Sequence, residues 1–240
     1  YNQAVRSARE DAEKNPMTFF IDDERSFDLF LGYATAALEI QLQLEELSIL
    51  VDEEHPLFIY LPCGVGTSPG GISLGLKLIY GDNVHCIFTE PVQCPSMLIG
   101  LLSKKHHDIS PEDFGISCKT IADGLACPYP SEFVGKIIEN LITGIYTVAE
   151  EDFLGLQALL WKAEQIKIEP SSSGVLLGPI HLFQAEKFSQ YLKNHWNEPF
   201  MDNATHIVWL SGGSHVPQKE WREEVEKGKE TRIYKMCMRK

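Results

Sequence analysis

Residues 61–76 read "LPCGVGTSPGGISLGL". The apolar run "LFIYL" (57–61) leads into this stretch, and "GISLGLKLIYG" (71–81) leaves it with helical spacing. A strand, a glycine-rich turn and a helix in that order are one way for a backbone to cradle a phosphate. Glycines permit positive φ, successive N–H groups form an anion-binding nest, and the helix N-terminus adds its positive dipole end. Gly64, Val65, Gly66, Thr67 and Ser68 are therefore candidate anion-binding residues, with the Thr67 and Ser68 hydroxyls as two further donors. A tight strand-to-helix turn with no ligand is the other reading. The nucleotide motif GxxxxGK[ST] is absent, because no lysine follows the glycines. A dinucleotide GxGxxG would need glycine where Pro69 stands, although Glu90 lies near the distance at which such sites hold a ribose.

Working outward, "PLFIYLP" (56–62), "VHCIFTEP" (84–91) and "ATHIVWLSGG" (204–213) read as buried strands, and "TFFID" (18–22) as a short one. Helical patterns cover residues 2–14, the segment from about Ala34 to Leu47, and the stretch to Tyr80. They recur at "SMLIGLLSKK" (96–105), "EFVGKIIENLITG" (132–144), "EEDFLGLQALLWKAEQ" (150–165) and "HLFQAEKFSQYLKNH" (181–195). Strands alternating with helices of this length predict an α/β fold: an open, twisted parallel sheet with helices on both faces. Ligands of such sheets sit beyond the carboxyl ends of the strands. Several turns qualify for one shared site: the 64–71 loop, "FTEPVQCPSML" with Glu90, "TIADGLACP" with Asp123-Gly124, "IEPSSSG", and "VWLSGGSHVP" with Ser211.

The 240 residues, 44% hydrophobic and 23% charged, suit one large domain or two small ones. A net charge of −13, with the tail "KMCMRK" as the one basic cluster, argues against a nucleic-acid partner. No apolar run approaches a membrane span. The six cysteines contain no CxxC pair and read as reduced thiols of a cytoplasmic protein, with Cys63 a small buried side chain. Asp22-Asp23 reads as a turn, and His106, His107 and His181 lack the spacing of a zinc site. The opening "YNQAVRSAREDAEKNP" has no initiator methionine and no signal peptide, so an N-terminal part is expected to precede it.

The segments "FFIDDERSFDLFLGYATAA", "PLFIYLPCGVGTSPGGISLGLKLIYGDNVHCIFTEP", "HDISPEDFGISCKTIADGLACP", "FVGKIIENLITGIYTV", "IEPSSSG" and "NATHIVWLSGG" carry a resemblance. They resemble the fold-type II enzymes that use pyridoxal 5′-phosphate, most closely the bacterial D-serine dehydratase (D-serine ammonia-lyase) family, over the C-terminal part of that family's length. The resemblance implies a tryptophan synthase β-like sheet, with residues 1–28 ending a small domain and 29–240 forming an incomplete large, cofactor-binding domain. It implies that residues 64–68 hold the cofactor phosphate, though the relatives have more glycine where Thr67 and Ser68 stand. It implies that the Gly124 backbone packs near the cofactor and that Ser211 faces the pyridine nitrogen. A hydroxyl there is no counter-ion, so that nitrogen would stay largely unprotonated. Glu90, the Cys94 carbonyl and Ser96 match a site for a monovalent cation, K+ or Na+. Glu169 matches a turn near the ring edge, or else braces that turn.

The Schiff-base lysine of the family lies in an S-x-K-x-R-G sequence that this chain does not contain. Lys104 and Lys105 sit in a polar stretch and read as solvated. The implied activity is β-elimination of D-serine to pyruvate and ammonia, on a small-molecule amino-acid substrate, with no nucleic-acid or membrane partner. The lysine would come from sequence outside this chain, which alone would be inactive. The runners-up are a threonine or L-serine dehydratase, and a non-catalytic phosphate-binding module.

Overall fold

A computed structural model of the chain describes residues 2–195 and 198–239; Lys240 of the basic tail lies outside them. Four parallel strands, β1 (Leu57–Pro62), β2 (Val84–Pro91), β3 (Gly144–Val148) and β4 (Thr205–Val208), form one sheet in the order β3-β2-β1-β4. The helices are α1 (Asn2–Lys14), α2 (Phe27–Ala34), α3 (Ala36–Glu46), α4 (Thr67–Tyr80), α5 (Ser96–Ser103) and α6 (Val134–Ile138). They continue with α7 (Glu150–Glu164), α8 (Pro170–Ser173), α9 (Gly178–Gln184), α10 (Glu186–His195), α11 (Gln218–Lys229) and α12 (Arg232–Met238). Among the described residues, no helix is long and apolar enough to cross a membrane.

The unbroken apolar run of β1 has a direct cause. Leu57, Ile59 and Leu61 pack with Phe30, Ala37, Ile72, Leu76, Met97 and Val134 from α2 to α6 on one face. Phe58 and Tyr60 pack with Phe153 and Leu156 of α7 and Leu182 of α9 on the other. A strand buried on both faces leaves no position for a polar residue, and each such side chain contributes about 1.5–3 kcal/mol. The chain runs β1, β2, β3 toward one edge and returns to place β4 on the far side of β1. The connections after β1 and β4 therefore diverge at their carboxyl ends. That is the switch point at which open parallel sheets offer a crevice.

Three expectations need correction. "TFFID" is not a strand: Phe19 is 77% and Ile21 53% exposed, and neither meets a strand to pair with. The Asp22-Asp23 turn does form, with Asp22 Oδ1 accepting the Glu24 and Arg25 N–H groups at 2.9 and 2.6 Å. The helix expected over 132–144 is one short turn, α6, and Gly144–Val148 instead joins β2 as strand β3, with Ile87 opposite Gly144. The helix expected from about Ala34 is α3, from Ala36, and a separate helix, α2, precedes it from Phe27, because the Ser26 side chain accepts the Leu29 N–H and caps it. The 181–195 helix is broken at Ala185, which is extended (φ −80°, ψ 125°). The sequence does not announce the C-terminal helices α11 and α12, which pack on α7: Trp221 and Val225 meet Ala158, and Gly228 sits against the Leu154 carbonyl.

Helix α4 crosses α2 at backbone contact, since a Cβ on Gly71 or Gly75 would overlap the carbonyl oxygens of Phe30 or Ala34. Gly75→Ala should lower stability by about 1–3 kcal/mol, read as a lower thermal midpoint. Gly32→Ala, where a Cβ meets nothing within 4 Å, should be neutral or stabilising by up to about 1 kcal/mol. Equal effects of the two would contradict the close crossing.

Candidate functional site

After Pro62 the chain turns through residues 63–66 into α4. Gly66 is the N-cap of α4 with φ +97°, which disfavours any side chain, and a Cβ there would also have to displace Met97 Cε. The Gly66 carbonyl accepts the Gly70 N–H at 2.8 Å and starts the helix. The N–H groups of Gly66, Thr67 and Ser68 have no acceptor among the described residues, and these residues line a cleft of about 320 Å³. Free N–H groups at the positive end of a 14-residue helix are an anion site.

The loop is held from three sides. The Cys63 N–H donates to the Thr89 carbonyl at 2.9 Å, the Ser131 N–H to the Val65 carbonyl at 2.7 Å, and the Thr67 hydroxyl to the Asp23 carbonyl. Thr67 is thus a brace, and of the two hydroxyls only that of Ser68 has no partner among the described residues.

Opposite the loop stand Gly124, Leu125, Cys127, Glu169, Ser171, Trp209 and Ser211. The Gly124 N–H donates to Ser171 Oγ at 3.0 Å, and a Cβ on Gly64 would lie 3.1 Å from the Gly124 carbonyl, so these two turns touch. Ser211 is delivered by β4. The Trp209 N–H donates to the Tyr60 carbonyl at 3.0 Å, and the Ser211 N–H to Ser172 Oγ at 2.7 Å, which leaves the Ser211 side chain exposed in the cleft. Residues 64–68, Gly124 and Ser211, far apart in sequence, therefore meet in one cleft at the switch point. No lysine lines it. Ser171 and Trp209 also line it from the expected turns "IEPSSSG" and "VWLSGGSHVP", and Asp23 from the Asp22-Asp23 turn; Tyr33 of α2 lines it with no motif to announce it.

Glu90, Cys94 and Ser96 do not line the cleft. Glu90 is fully buried at the end of β2, and its Oε1 and Oε2 accept the Met97 and Leu98 N–H groups at 2.8 and 2.9 Å, capping α5. Burial pushes its carboxyl up to about 8, against the pull of those donors. The buried Ser96 hydroxyl beside it also holds the carboxyl down, and no N–H among the described residues donates to the Cys94 carbonyl. No three His, Cys, Asp or Glu side chains among the described residues form a group able to hold a metal ion, so a cation here would depend on one carboxylate plus uncharged oxygens. Through Met97, this capped helix end buttresses Gly66. The six cysteines are unpaired, and burial pushes the Cys63 thiol up and that of Cys127, in the cleft wall, to about 11. These are inert thiols rather than nucleophiles.

The sequence model for pyridoxal-phosphate dependent enzymes matches residues 1–192. A probable D-serine dehydratase of Geobacillus kaustophilus is 48% identical over 218 residues, 91% of this chain and 49% of that protein. One from Bacillus mycoides is 49% identical over 230 residues, 96% of this chain and 51% of that protein. The crystal structure of holo diaminopropionate ammonia lyase from Escherichia coli aligns with TM-score 0.68 at 20% identity, covering 95% of this chain and 56% of that one. The chain belongs to the pyridoxal-phosphate dependent enzyme family, and its sheet is the fold-type II sheet. It spans about half the length of the curated relatives it matches.

Strand β4, which delivers Ser211, is pinned by His206, whose Nδ1 lies 2.9 Å from the Tyr60 hydroxyl and whose ring stacks on Phe58. Burial lowers the His206 pKa below its ordinary 6.5. A histidine held neutral in the fold lets the unfolded chain bind more protons, so its contribution is complete above 6.5 and is lost as pH falls below it. Burial lowers His181 as well, with Asp152 opposing, so the reading must be a difference. Urea midpoints of wild type and His206→Gln should lie furthest apart at pH 7.5 and converge by pH 5; a constant gap would contradict the assignment.

Proposed function

We infer that this chain supplies the phosphate cradle and ring-nitrogen contact of a pyridoxal-phosphate-dependent lyase that converts D-serine to pyruvate and ammonia. One observation carries the reading: the free N–H groups of Gly66, Thr67 and Ser68 and the Ser211 hydroxyl open into one cleft at the sheet's switch point. Those N–H groups, with the Ser68 hydroxyl, would hold the phosphate. Ser211 would meet the pyridine nitrogen, and the Gly124 turn would pack beside the cofactor. When bound, the cofactor supplies the electron sink that lets an amino acid lose its Cα proton and then a β-substituent. The chain's own part is to fix one end of the ligand with non-titrating donors and the other with a hydroxyl. The names of the relatives support D-serine; threonine or L-serine elimination is the alternative, decided by residues that grip the substrate carboxylate.

Because no lysine lines the cleft, the Schiff-base lysine belongs, on this reading, to the half of the relatives' length that this chain does not span, with residues 1–28 closing the smaller domain there. Positioning of such a group is worth several kcal/mol. In a pyruvate assay with D-serine and pyridoxal 5′-phosphate, the 240-residue chain should therefore turn over at less than a tenth of the rate of the Geobacillus kaustophilus relative. It should still bind pyridoxal 5′-phosphate saturably, and Gly66→Ala should abolish that binding. Turnover above a tenth, or binding untouched by Gly66→Ala, would overturn the assignment.

A monovalent cation, K+ or Na+, completes the reading, held by the Glu90 carboxylate, the Cys94 carbonyl and the Ser96 hydroxyl. A buried hydroxyl set against a buried carboxyl, with the Cys94 carbonyl free of N–H donors among the described residues, supports it. Binding to the folded state raises stability by mass action. The thermal midpoint should be a few degrees higher in KCl or NaCl than in tetramethylammonium chloride, and Glu90→Gln should erase the difference. Equal midpoints for the wild-type chain would remove the cation.

A further inference from the structure

Tyr33 reaches the cleft from α2. The crossing of α2 and α4 decides where its side chain starts: a Cβ on Gly71 would lie 2.8 Å from Tyr33 Cβ. Gly71 is three residues beyond Ser68 and four beyond Thr67, so it stands on their face of α4, one turn, about 5.4 Å, further along. Tyr33 therefore sets out from one turn behind the free N–H groups of the anion loop, and it borders the same cleft as Ser68 and Pro69.

The ring and the hydroxyl of Tyr33 are placed differently. The half-buried ring packs against the apolar cluster that holds Phe30 and Ile72. The hydroxyl has no hydrogen-bond partner among the described residues and is not among the polar atoms sealed from solvent, so it opens on the cleft that Tyr33 lines. Burial, then Asp23, pushes the phenol above its ordinary 10, and it stays a donor. Asp23, which also lines the cleft, is held toward its neutral form by burial and then by Asp22.

The loop has use for such a donor. The Thr67 hydroxyl is committed to the Asp23 carbonyl, and no lysine, arginine or histidine lines the cleft. The N–H groups of Gly66, Thr67 and Ser68 with the Ser68 hydroxyl do not saturate three phosphoryl oxygens, each a strong acceptor with room for more than one bond.

We propose that the Tyr33 hydroxyl donates to the phosphate of the bound cofactor and closes the cradle from the α2 side. The inference rests on the reading that the cleft takes pyridoxal phosphate. The phenol brings a donor without a charge. Its ring is already packed, so little side-chain freedom is lost when the ligand arrives.

The probes are pyridoxamine 5′-phosphate, which needs no lysine, and pyridoxamine, the same ring without the phosphate, each titrated against the full 240-residue chain. Tyr33→Phe keeps the ring and removes the hydroxyl. It should weaken binding of pyridoxamine 5′-phosphate about tenfold or more. Binding of pyridoxamine, and the thermal midpoint without ligand, should stay as in the wild type. Weakening of both probes alike, or of neither, overturns the contact and leaves the cofactor reading standing. Absence of saturable pyridoxamine 5′-phosphate binding to the wild type overturns both. A second measurement needs no variant and no pyridoxamine: by carbon-13 NMR, the Tyr33 ring carbon that bears the hydroxyl should shift as pyridoxamine 5′-phosphate binds. A resonance unmoved at saturation overturns the proposal.

Discussion

The left-handed backbone at Gly66 is the constraint from which the site follows. Strand β1 is buried on both faces, so its end can be reached only through the turn that leaves it. That turn must reverse within four residues and launch α4 against α2 at backbone contact. A positive φ at the N-cap does this and leaves the Gly66, Thr67 and Ser68 N–H groups facing the crevice rather than the core. Met97 fills the space where a side chain would stand. Met97 is in turn held by Glu90, whose buried carboxylate caps α5 from the end of β2. The ends of two neighbouring strands are thereby made into one rigid unit, with the anion site on its open side.

This arrangement explains how a chain of net charge −13 can offer a site for an anion. No lysine lines the cleft, and the described loop uses backbone donors and a helix dipole instead. Such donors carry no counter-charge to be neutralised elsewhere and need no side-chain ordering. The one carboxyl under the loop, Glu90, turns both oxygens toward α5 and away from the cleft, and burial pushes it up to about 8, so it sets little charge against an anion.

Much of this was legible because the fold's main signals are local. The runs at β1 and β2 are too apolar for half-exposed strands, and glycines at 64 and 66 after a strand can do few other things. What escaped had a non-local cause. "GIYTV" follows a helical pattern and is too short to announce a strand until β2 is there to pair with it. "TFFID" has strand composition and no neighbour. Thr67 looked like a ligand donor because its acceptor, the Asp23 carbonyl, lies 44 residues away. Glu90 looked like a ligand to something outside, and its first partners turned out to be the N–H groups of the next helix. Polar residues at strand ends are ambiguous in sequence, since bracing a turn and binding a ligand use the same atoms.

The two ends of the cleft differ in kind. At the loop end the donors are backbone N–H groups, which do not titrate, and the nearest buried thiols, Cys63 and Cys127, are pushed upward and stay neutral. The donors of that end are therefore insensitive to pH. At the Ser211 end the groups are a hydroxyl and a carboxyl that burial and two neighbouring carboxylates hold toward its neutral form. Changes in pH across the Glu169 carboxyl's range alter the charge at one end of the cleft and leave the backbone donors at the other untouched. A substitution at one end should therefore be read against a constant background at the other.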